Sequence, residues 1–342
     1  MKIAFFETNE VFDGRYEEDK KVLEKSFGDS EISYFTEKLN KENVALAASA
    51  EIVSIFNGCL VDKEVIEKLP NLKFINTSTT GFEHIDIDYC RTKGIQVSNV
   101  PAYGSIPVAE FTFALLLNLS RKISEANSQL RQSDDFVISQ LKGFDLAGKT
   151  LGVIGTGKIG KNVIKIAKGF AMNVIAYDLF PDFNFAKENS FEYKSLDEVI
   201  VGSDVITVHA PYTKENHHLI GKESISKMKR GVYLLNTARG ALIDTEALVW
   251  GLKDGIIAGA GLDVLEDERE LKEEVKILSS KEAESFKDYK TLLEDHVLIN
   301  MPNVIVTPHI AFYSTEAEAE IIRVTIENIK GFIAGAPINL VK

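Results

Sequence analysis

The sequence predicts an α/β protein of two domains, each a parallel sheet with helices on both faces. Three observations predict it. Short apolar runs alternate with amphipathic segments along nearly the whole chain, the rhythm of a parallel sheet. A length of 342 residues is enough for two cores. One stretch, Thr150 to Asp178, reads as strand, glycine turn, helix, strand and acid within a single βαβ unit.

The elements follow in order. Lys2–Phe6 reads as a strand and Tyr16–Phe27 as an amphipathic helix with a charged outer face. Glu31–Phe35 is a strand, Glu42–Ser49 a helix and Glu51–Phe56 a strand. Asp62 caps a helix that ends before Pro70. Leu72–Asn76 is a strand, Asp86–Lys93 a helix stopped by Gly94, and Ile95–Ser98 a strand. Asn99-Val100-Pro101 reads as a hinge. A long apolar helix, Ser105–Ser124, follows, then a polar one over Glu125–Lys142. Beyond the glycine turn come a helix Ser195–Val201 with Ser195 as its cap, a strand Asp204–His209 and a helix Glu223–Lys229. Val232–Asn236 is a strand, Asp244–Lys253 a helix stopped by Gly255, and Ile256–Asp263 a strand. Leu265–Asn300 is charge-rich and reads as a solvated helical insertion. Val304–Val306 is the last strand, and Thr315–Ala334 is a helix that carries the chain back to the first domain. The predicted division is 1–101 plus 304–342 against 102–303.

The glycine turn is Gly155-Thr156-Gly157-Lys158-Ile159-Gly160, a G-x-G-x-x-G between a strand and a helix. Gly155 allows a sharp turn off the strand, Gly157 lets a pyrophosphate approach the backbone, and Gly160 lets the helix pack close. The helix N-terminus, at Lys158 and Ile159, offers free N–H groups and a partial positive charge to phosphates. Asp178 can accept bonds from both ribose hydroxyls of an adenosine and would repel a 2′-phosphate. The following Leu179-Phe180-Pro181 holds no arginine, so the expected cofactor is NAD rather than NADP, in a Rossmann-like domain. Glycines also serve ordinary turns. Here both strands, the helix and the acid fit the dinucleotide reading.

Composition narrows the partners. The formal net charge is −12 and no basic run occurs, which argues against nucleic acid. Cys59 and Cys90 give neither a disulfide framework nor a metal-ligand spacing, so no metal is expected. No apolar stretch is long enough to span a bilayer, and the N-terminus does not read as a signal peptide. The expected location is the cytoplasm.

In open parallel sheets ligands bind beyond the carboxyl ends of the strands. The residues placed there are His209-Ala210-Pro211, Asn236 to Gly240, Asp263 to Glu268, and Thr307 to Ile310. An arginine, several acids and a histidine therefore converge at one edge. Arg239 can clamp a carboxylate, His309 can pass a proton near neutral pH, and Glu268 can fix the histidine tautomer. From the spacing alone the bland reading stands beside this one. Arg239 could be a surface residue by a turn, Glu268 a solvated acid and His309 an ordinary loop histidine.

The motifs GTGKIG with Asp178, NTARG at Asn236–Gly240, GLDVLEDE at Gly261–Glu268 and PHIA at Pro308–Ala311 resemble the D-isomer-specific 2-hydroxyacid dehydrogenase family along nearly the full chain. The resemblance implies two Rossmann-like or flavodoxin-like domains, one for substrate and one for NAD, with the active site in the interdomain cleft. It implies Arg239 as the substrate-binding arginine, His309 as the proton donor and Glu268 as its partner. It implies cofactor contacts at Gly155, Gly157, Lys158, Ile159, Gly160, Asp178, His209, Ala210, Pro211, Asn216, Thr237, Ala238, Arg239 and Asp263. Substrate would meet Thr80, Gly81, Tyr103, Arg239, His309 and Phe312. The family's usual assembly is a homodimer through the helix near 105–124. Tyr103 and the Ala311-Phe312-Tyr313 segment are similar to the branch that reduces pyruvate to D-lactate. Thr79-Thr80-Gly81-Phe82 is closer to the glyoxylate and phosphoglycerate branches, and Gly104-Ser105-Ile106-Pro107 departs from the lactate pattern. The alternatives are another 2-keto acid, such as glyoxylate, hydroxypyruvate or a branched one, and, in a different class, an NAD-sensing corepressor-like protein.

Overall fold

The computed structural model describes residues 1–8, 16–133, 136–266, 268, 271 and 289–341. The chain forms two compact units, Met1–Tyr103 with Tyr313–Lys342, and Gly104–Phe312.

The first unit holds a five-stranded sheet of β1 (Lys2–Phe5), β2 (Glu31–Tyr34), β3 (Ile52–Ile55), β4 (Phe74–Thr77) and β5 (Gln96–Ser98). All pairings are parallel, in the order β2-β1-β3-β4-β5, the flavodoxin-like winding. The inner strands β3 and β4 are buried along their whole length, and their polar members Ser54, Asn76 and Thr77 are hydrogen-bonded within the unit. On one face Val53, Ile55, Ile75 and Val97 pack with Val65, Ile66 and Cys90. On the other, Ile3, Phe5, Ile52 and Phe74 meet Leu23 and the returning helix Thr315–Ile333. Ile322, Ile326 and Ile329 give that helix its apolar stripe. Asp62 and Asp86 cap their helices by accepting from Val65 N at 3.0 Å and Tyr89 N at 2.9 Å. The helix predicted over Glu42–Ser49 is only a 3₁₀ turn, Val44–Ala47. The amide side chains before it bond the backbone instead: Asn43 Oδ1 accepts from Asn40 N and Asn43 Nδ2 donates to Lys38 O. Such local bonds compete with helix formation.

The second unit begins with the helix Pro107–Arg121. It stops at Lys122, which lies in the left-handed region at φ 52°, and a separate helix, Ile123–Ser133, follows. The predicted extension to Lys142 fails: residues 136–138 are not helical. Seven strands make the sheet: β6 (Thr150–Ile154), β7 (Asn173–Tyr177), β8 (Glu192–Tyr193), β9 (Val205–Val208), β10 (Val232–Asn236), β11 (Ile257–Leu262) and β12 (Val304–Val306). Every pairing is parallel and the order is β12-β11-β10-β9-β6-β7-β8. From β6 outward this is the Rossmann winding, reversing between β6 and β9.

The predicted domain edge at 303/304 moves. Val304 to Val306 pair with Ala260 to Leu262 of β11, so this strand belongs to the second sheet, and the chain leaves the unit after Phe312. Of the predicted insertion Leu265–Asn300, the described part includes the helix Tyr289–Asn300; residues 267, 269–270 and 272–288 lie outside the described residues. Among the described residues no helix is long and apolar enough to cross a membrane.

Candidate active site

The winding reversal puts the ends of β6 and β9 side by side, with the glycine turn between them. Gly155 sits at φ +94°, and a Cβ there would lie 2.6 Å from Ala210 N and 2.7 Å from His209 C. A Cβ on Gly160 would lie 2.1 Å from Gly155 O. Both glycines are fixed by close backbone approach. Gly157 differs, because nothing lies within 4 Å of its Cβ position. That open cradle stands at the start of the helix Lys158–Gly169, for which Gly157 is the N-cap without a side-chain cap bond. The first N–H groups of the helix, Lys158 and Ile159 among them, face that cradle side, where a pyrophosphate fits.

Asp178 follows β7, as expected, but its carboxylate also shapes the loop. Oδ2 accepts from Thr156 N at 2.5 Å and Thr156 Oγ1 at 2.9 Å, and Oδ1 accepts from Phe180 N at 2.8 Å. Since the Thr156 hydroxyl donates to the acid, Tyr193 Oη donates to Thr156, at 2.8 Å. Oδ1 keeps a lone pair for a ribose hydroxyl.

His209 ends β9 and is 9% exposed. Its Nε2 meets Thr207 Oγ1 at 2.9 Å, and its Nδ1 is a buried atom with no partner. Burial drives its pKa down to about 3, so the ring is neutral. An orphaned buried nitrogen beside the glycine turn suits a polar group of a bound dinucleotide. Asn216, expected among the cofactor contacts, also has a structural part. Its Oδ1 accepts from Thr213 N and its Nδ2 donates to Pro211 O, both at 2.7 Å, so the amide closes its own loop. Ala210 and Pro211 form the near side of that loop, half-buried and exposed.

At the end of β10, buried Asn236 builds the next turn. Its Oδ1 accepts from Ala238 N at 3.0 Å and its Nδ2 donates to Arg239 O at 2.9 Å. Thr237 donates to Thr112 Oγ1 at 3.1 Å, because Thr112 already donates to Val108 O. Arg239 is half-buried, with Nη1 donating to Ala238 O at 2.8 Å. A Cβ on Gly240 would lie 1.9 Å from Leu265 O, so the arginine turn packs directly on the chain after β11.

That chain carries Asp263 and Glu268. Glu268 Oε2 and His309 Nδ1 are 2.9 Å apart, and Glu268 Oε1 accepts from Leu265 N at 3.1 Å. A carboxylate only accepts, so Nδ1 carries a proton and Nε2 is left for other chemistry. His309 adopts φ +60°, which is costly for a side chain of this kind. Asp263 holds it there. Its backbone oxygen accepts from His309 N at 2.9 Å; its Oδ1 accepts from Thr307 Oγ1 at 2.6 Å and Ile310 N at 2.9 Å; its Oδ2 accepts from Ala311 N at 2.8 Å. Asp263 is buried, and that burial raises its pKa against the pull of these bonds. Expected among the cofactor contacts, Asp263 is also the clamp of the histidine loop.

In the first unit the turn after β4 carries Thr80 and Gly81. Thr79 Oγ1 donates to Gly81 O at 2.6 Å, so it accepts from Thr77 Oγ1 at 2.5 Å, and Thr77 accepts from His84 Nε2 at 3.1 Å. Thr80 Oγ1 donates to Val100 O at 2.9 Å. Among the described residues, the backbone N–H groups of Thr80 and Gly81 meet no acceptor. Tyr103 closes this unit's first segment and Phe312 ends the second unit, both half-buried.

A Rossmann-wound sheet, a glycine turn left open at Gly157 and an acid-paired histidine are the parts of a dinucleotide-dependent oxidoreductase. Residues 113–311 match the family described as D-isomer specific 2-hydroxyacid dehydrogenase, NAD binding domain. The chain is 44% identical over 290 residues to an aromatic 2-oxoacid reductase of Clostridium sporogenes, covering 84% of each. It is 36% identical over 342 residues to the D-lactate dehydrogenase of Escherichia coli, covering 98% of each. The D-lactate dehydrogenase of Aquifex aeolicus, solved with NAD and lactic acid, superposes with a TM-score of 0.84 at 37% identity, covering 98% of this chain and 96% of that one. The chain belongs to the D-isomer-specific 2-hydroxyacid dehydrogenase family. It is an NAD-dependent oxidoreductase of 2-hydroxy acids.

Sequence reasoning missed the loop-holding parts of the site: the Asp263 clamp, the Asn236 turn and the His84–Thr77–Thr79 chain. Each rests on a polar residue beside a turn, with no period or spacing to distinguish it, and Asp263 reaches 44 to 48 positions along the chain.

Proposed function

We propose that the chain reduces a small 2-keto acid to the D-2-hydroxy acid, with pyruvate and D-lactate as the pair. The observation that carries the reading is the His309–Glu268 pair at 2.9 Å with Nε2 left over. NADH, when bound, supplies a hydride to the keto carbon. His309 Nε2 gives the carbonyl oxygen a proton as negative charge develops there. Glu268 keeps that tautomer and balances the charge of the protonated ring. Arg239 receives the substrate carboxylate through its planar fork. The unbonded N–H groups of Thr80 and Gly81 supply further donors to it, and Tyr103 and Phe312 bound a small side chain. The cradle at Gly157, with Lys158, Ile159 and Asp178, takes the pyrophosphate and the adenosine ribose.

A second reading, an aromatic 2-keto acid, is favoured by the 44% identity to the Clostridium sporogenes reductase. Assembly as a homodimer through the region of Pro107–Arg121 goes with either. Ile106 and Ile123, at the two ends of that helix, are exposed, while Phe113, Leu115 and Leu116 already serve the unit's own core. Light scattering on the purified chain tests the dimer.

The substrate is tested by kcat/KM for NADH oxidation with pyruvate, 2-ketobutyrate, 2-ketoisocaproate, phenylpyruvate, hydroxypyruvate and glyoxylate. Pyruvate leading supports the proposal; phenylpyruvate leading installs the aromatic reading. Near-wild-type turnover by His309→Gln with every acid would remove the mechanism.

A further inference from the structure

The geometry points to a second site in the NAD-binding unit: His217, His218 and Glu266 form a three-ligand site for one divalent transition-metal ion, with zinc the best match. One ring nitrogen from each histidine and a carboxylate oxygen of Glu266 all lie within 4.8 Å of one another. Donors around a tetrahedral zinc with bonds of about 2.0–2.1 Å stand roughly 3.3 Å apart. Small rotations of exposed and half-buried side chains cover the difference. Two imidazoles and a carboxylate suit zinc, nickel or copper, and poorly suit magnesium or calcium. Three protein ligands leave the fourth position open.

The site is built, not merely crowded. The backbone of His218 lies at φ +53°, a conformation costly for a histidine. His218 N donates to Ala241 O at 2.9 Å, Ile220 N donates to Leu242 O at 3.0 Å, and Asp244 N donates to Ile220 O at 3.0 Å. These bonds tie the strained segment to the chain running into the helix Thr245–Lys253. Each ligand is also oriented from behind. Glu266 Oε2 accepts from Thr245 Oγ1 at 2.8 Å, which leaves Oε1 facing His218 Nε2 at 2.6 Å. His218 Nδ1 lies 3.8 Å from Asp244 Oδ2, the acid–histidine pairing that commonly stands behind a metal ligand. His217 Nδ1 lies 3.5 Å from Tyr212 Oη. A plain His218–Glu266 hydrogen bond explains two of the three members. It gives no reason for His217, exposed and stacked on His218 at 3.8 Å between ring centres.

A bound ion would take the place of the proton shared by His218 and Glu266 and staple the loop after β9 to the chain after β11. Neither His217 nor His218 takes part in the hydride chemistry, so the proposal stands apart from the choice of substrate.

The test is zinc uptake by the full-length, untagged, chelator-treated chain, followed by titration calorimetry and by metal analysis after dialysis. The wild type should bind one zinc per chain with saturation. His217→Ala, at an exposed ring, should keep the melting temperature of the metal-free chain and bind zinc at least about tenfold more weakly. Glu266→Gln should also weaken it, while His309→Gln should bind as the wild type does. No saturable uptake by the wild type overturns the proposal. So does His217→Ala binding as tightly as the wild type.

Discussion

Two histidines show how differently the two halves of this site are made. His209, at the end of β9, is buried beside a turn of glycines, neutral, with one nitrogen orphaned. His309, after β12, is half-exposed, paired to Glu268 and held in a strained backbone by Asp263. The cofactor half works through missing atoms. Side chains are absent where a pyrophosphate and close backbone contacts need the room. The chemical half works through added atoms, each side chain aimed by another. A ring is therefore a proton carrier only where something receives and balances its charge; burial alone makes the same ring a neutral polar wall.

The comparison breaks most simply at His309. His309→Gln should lower kcat by about three orders of magnitude with little change in KM for NADH, measured in steady state. His209→Gln should leave kcat within a few-fold. Equal losses from the two would mean that exposure does not separate their roles.

Asp263→Asn sharpens the contrast by touching only the support. An amide nitrogen in place of Oδ2 would face the Ala311 N–H, donor against donor. The His309 loop should shift, and kcat/KM should fall roughly a hundredfold, with the rate constant of the chemical step, read in single turnovers, carrying most of the loss.

Acid stability tests the neutral ring. In the unfolded chain His209 takes a proton near pH 6.5, but in the fold only near pH 3. Between these values the unfolded state binds more protons, so stability falls as pH falls through that window. Denaturant midpoints at pH 6.5 and pH 5 should show the cofactor-free wild type losing roughly 2 kcal/mol more than His209→Gln.

The smallest effect belongs to Gly157. Gly157→Ala has open space for its methyl, so the melting temperature of the cofactor-free chain should hold, while the Kd for NADH, by fluorescence titration, rises about tenfold. Gly160→Ala should instead destabilise the fold, since its methyl meets a carbonyl oxygen. A stable Gly160→Ala that binds NADH normally would remove the idea that missing atoms build this half.

Much of this was legible in the sequence, and the reasons differ by region. Parallel strands buried on both faces leave apolar runs that punctuation by glycine and proline makes easy to read, and so the strands Val232–Asn236 and Val304–Val306 came out as expected. Gly155, Arg239, Glu268 and His309 lie in the segments that follow strands, where topology alone sends chemistry, and Gly160 lies in the first turn of the helix after β6. The misses are places where a tertiary contact overrides local signals. The long helix stops at Lys122 without a glycine to announce it. The strand Val304–Val306 was seen, but its sheet was not, because pairing with β11 leaves no mark in its own residues. His217, His218 and Glu266 meet across 48 residues, at a spacing that matches no metal motif.

The Asp263 clamp bears on how this enzyme could be redesigned. Phe312, proposed to bound the substrate side chain, follows a loop whose shape is set 48 positions earlier in the chain, through the bond from Ala311 N to Asp263 Oδ2. A graft of that loop from a relative carries its new side chains but not its anchor. The transferable module is thus discontinuous, an acid from one strand end together with a histidine turn from the next, and swapping experiments should be cut along that line.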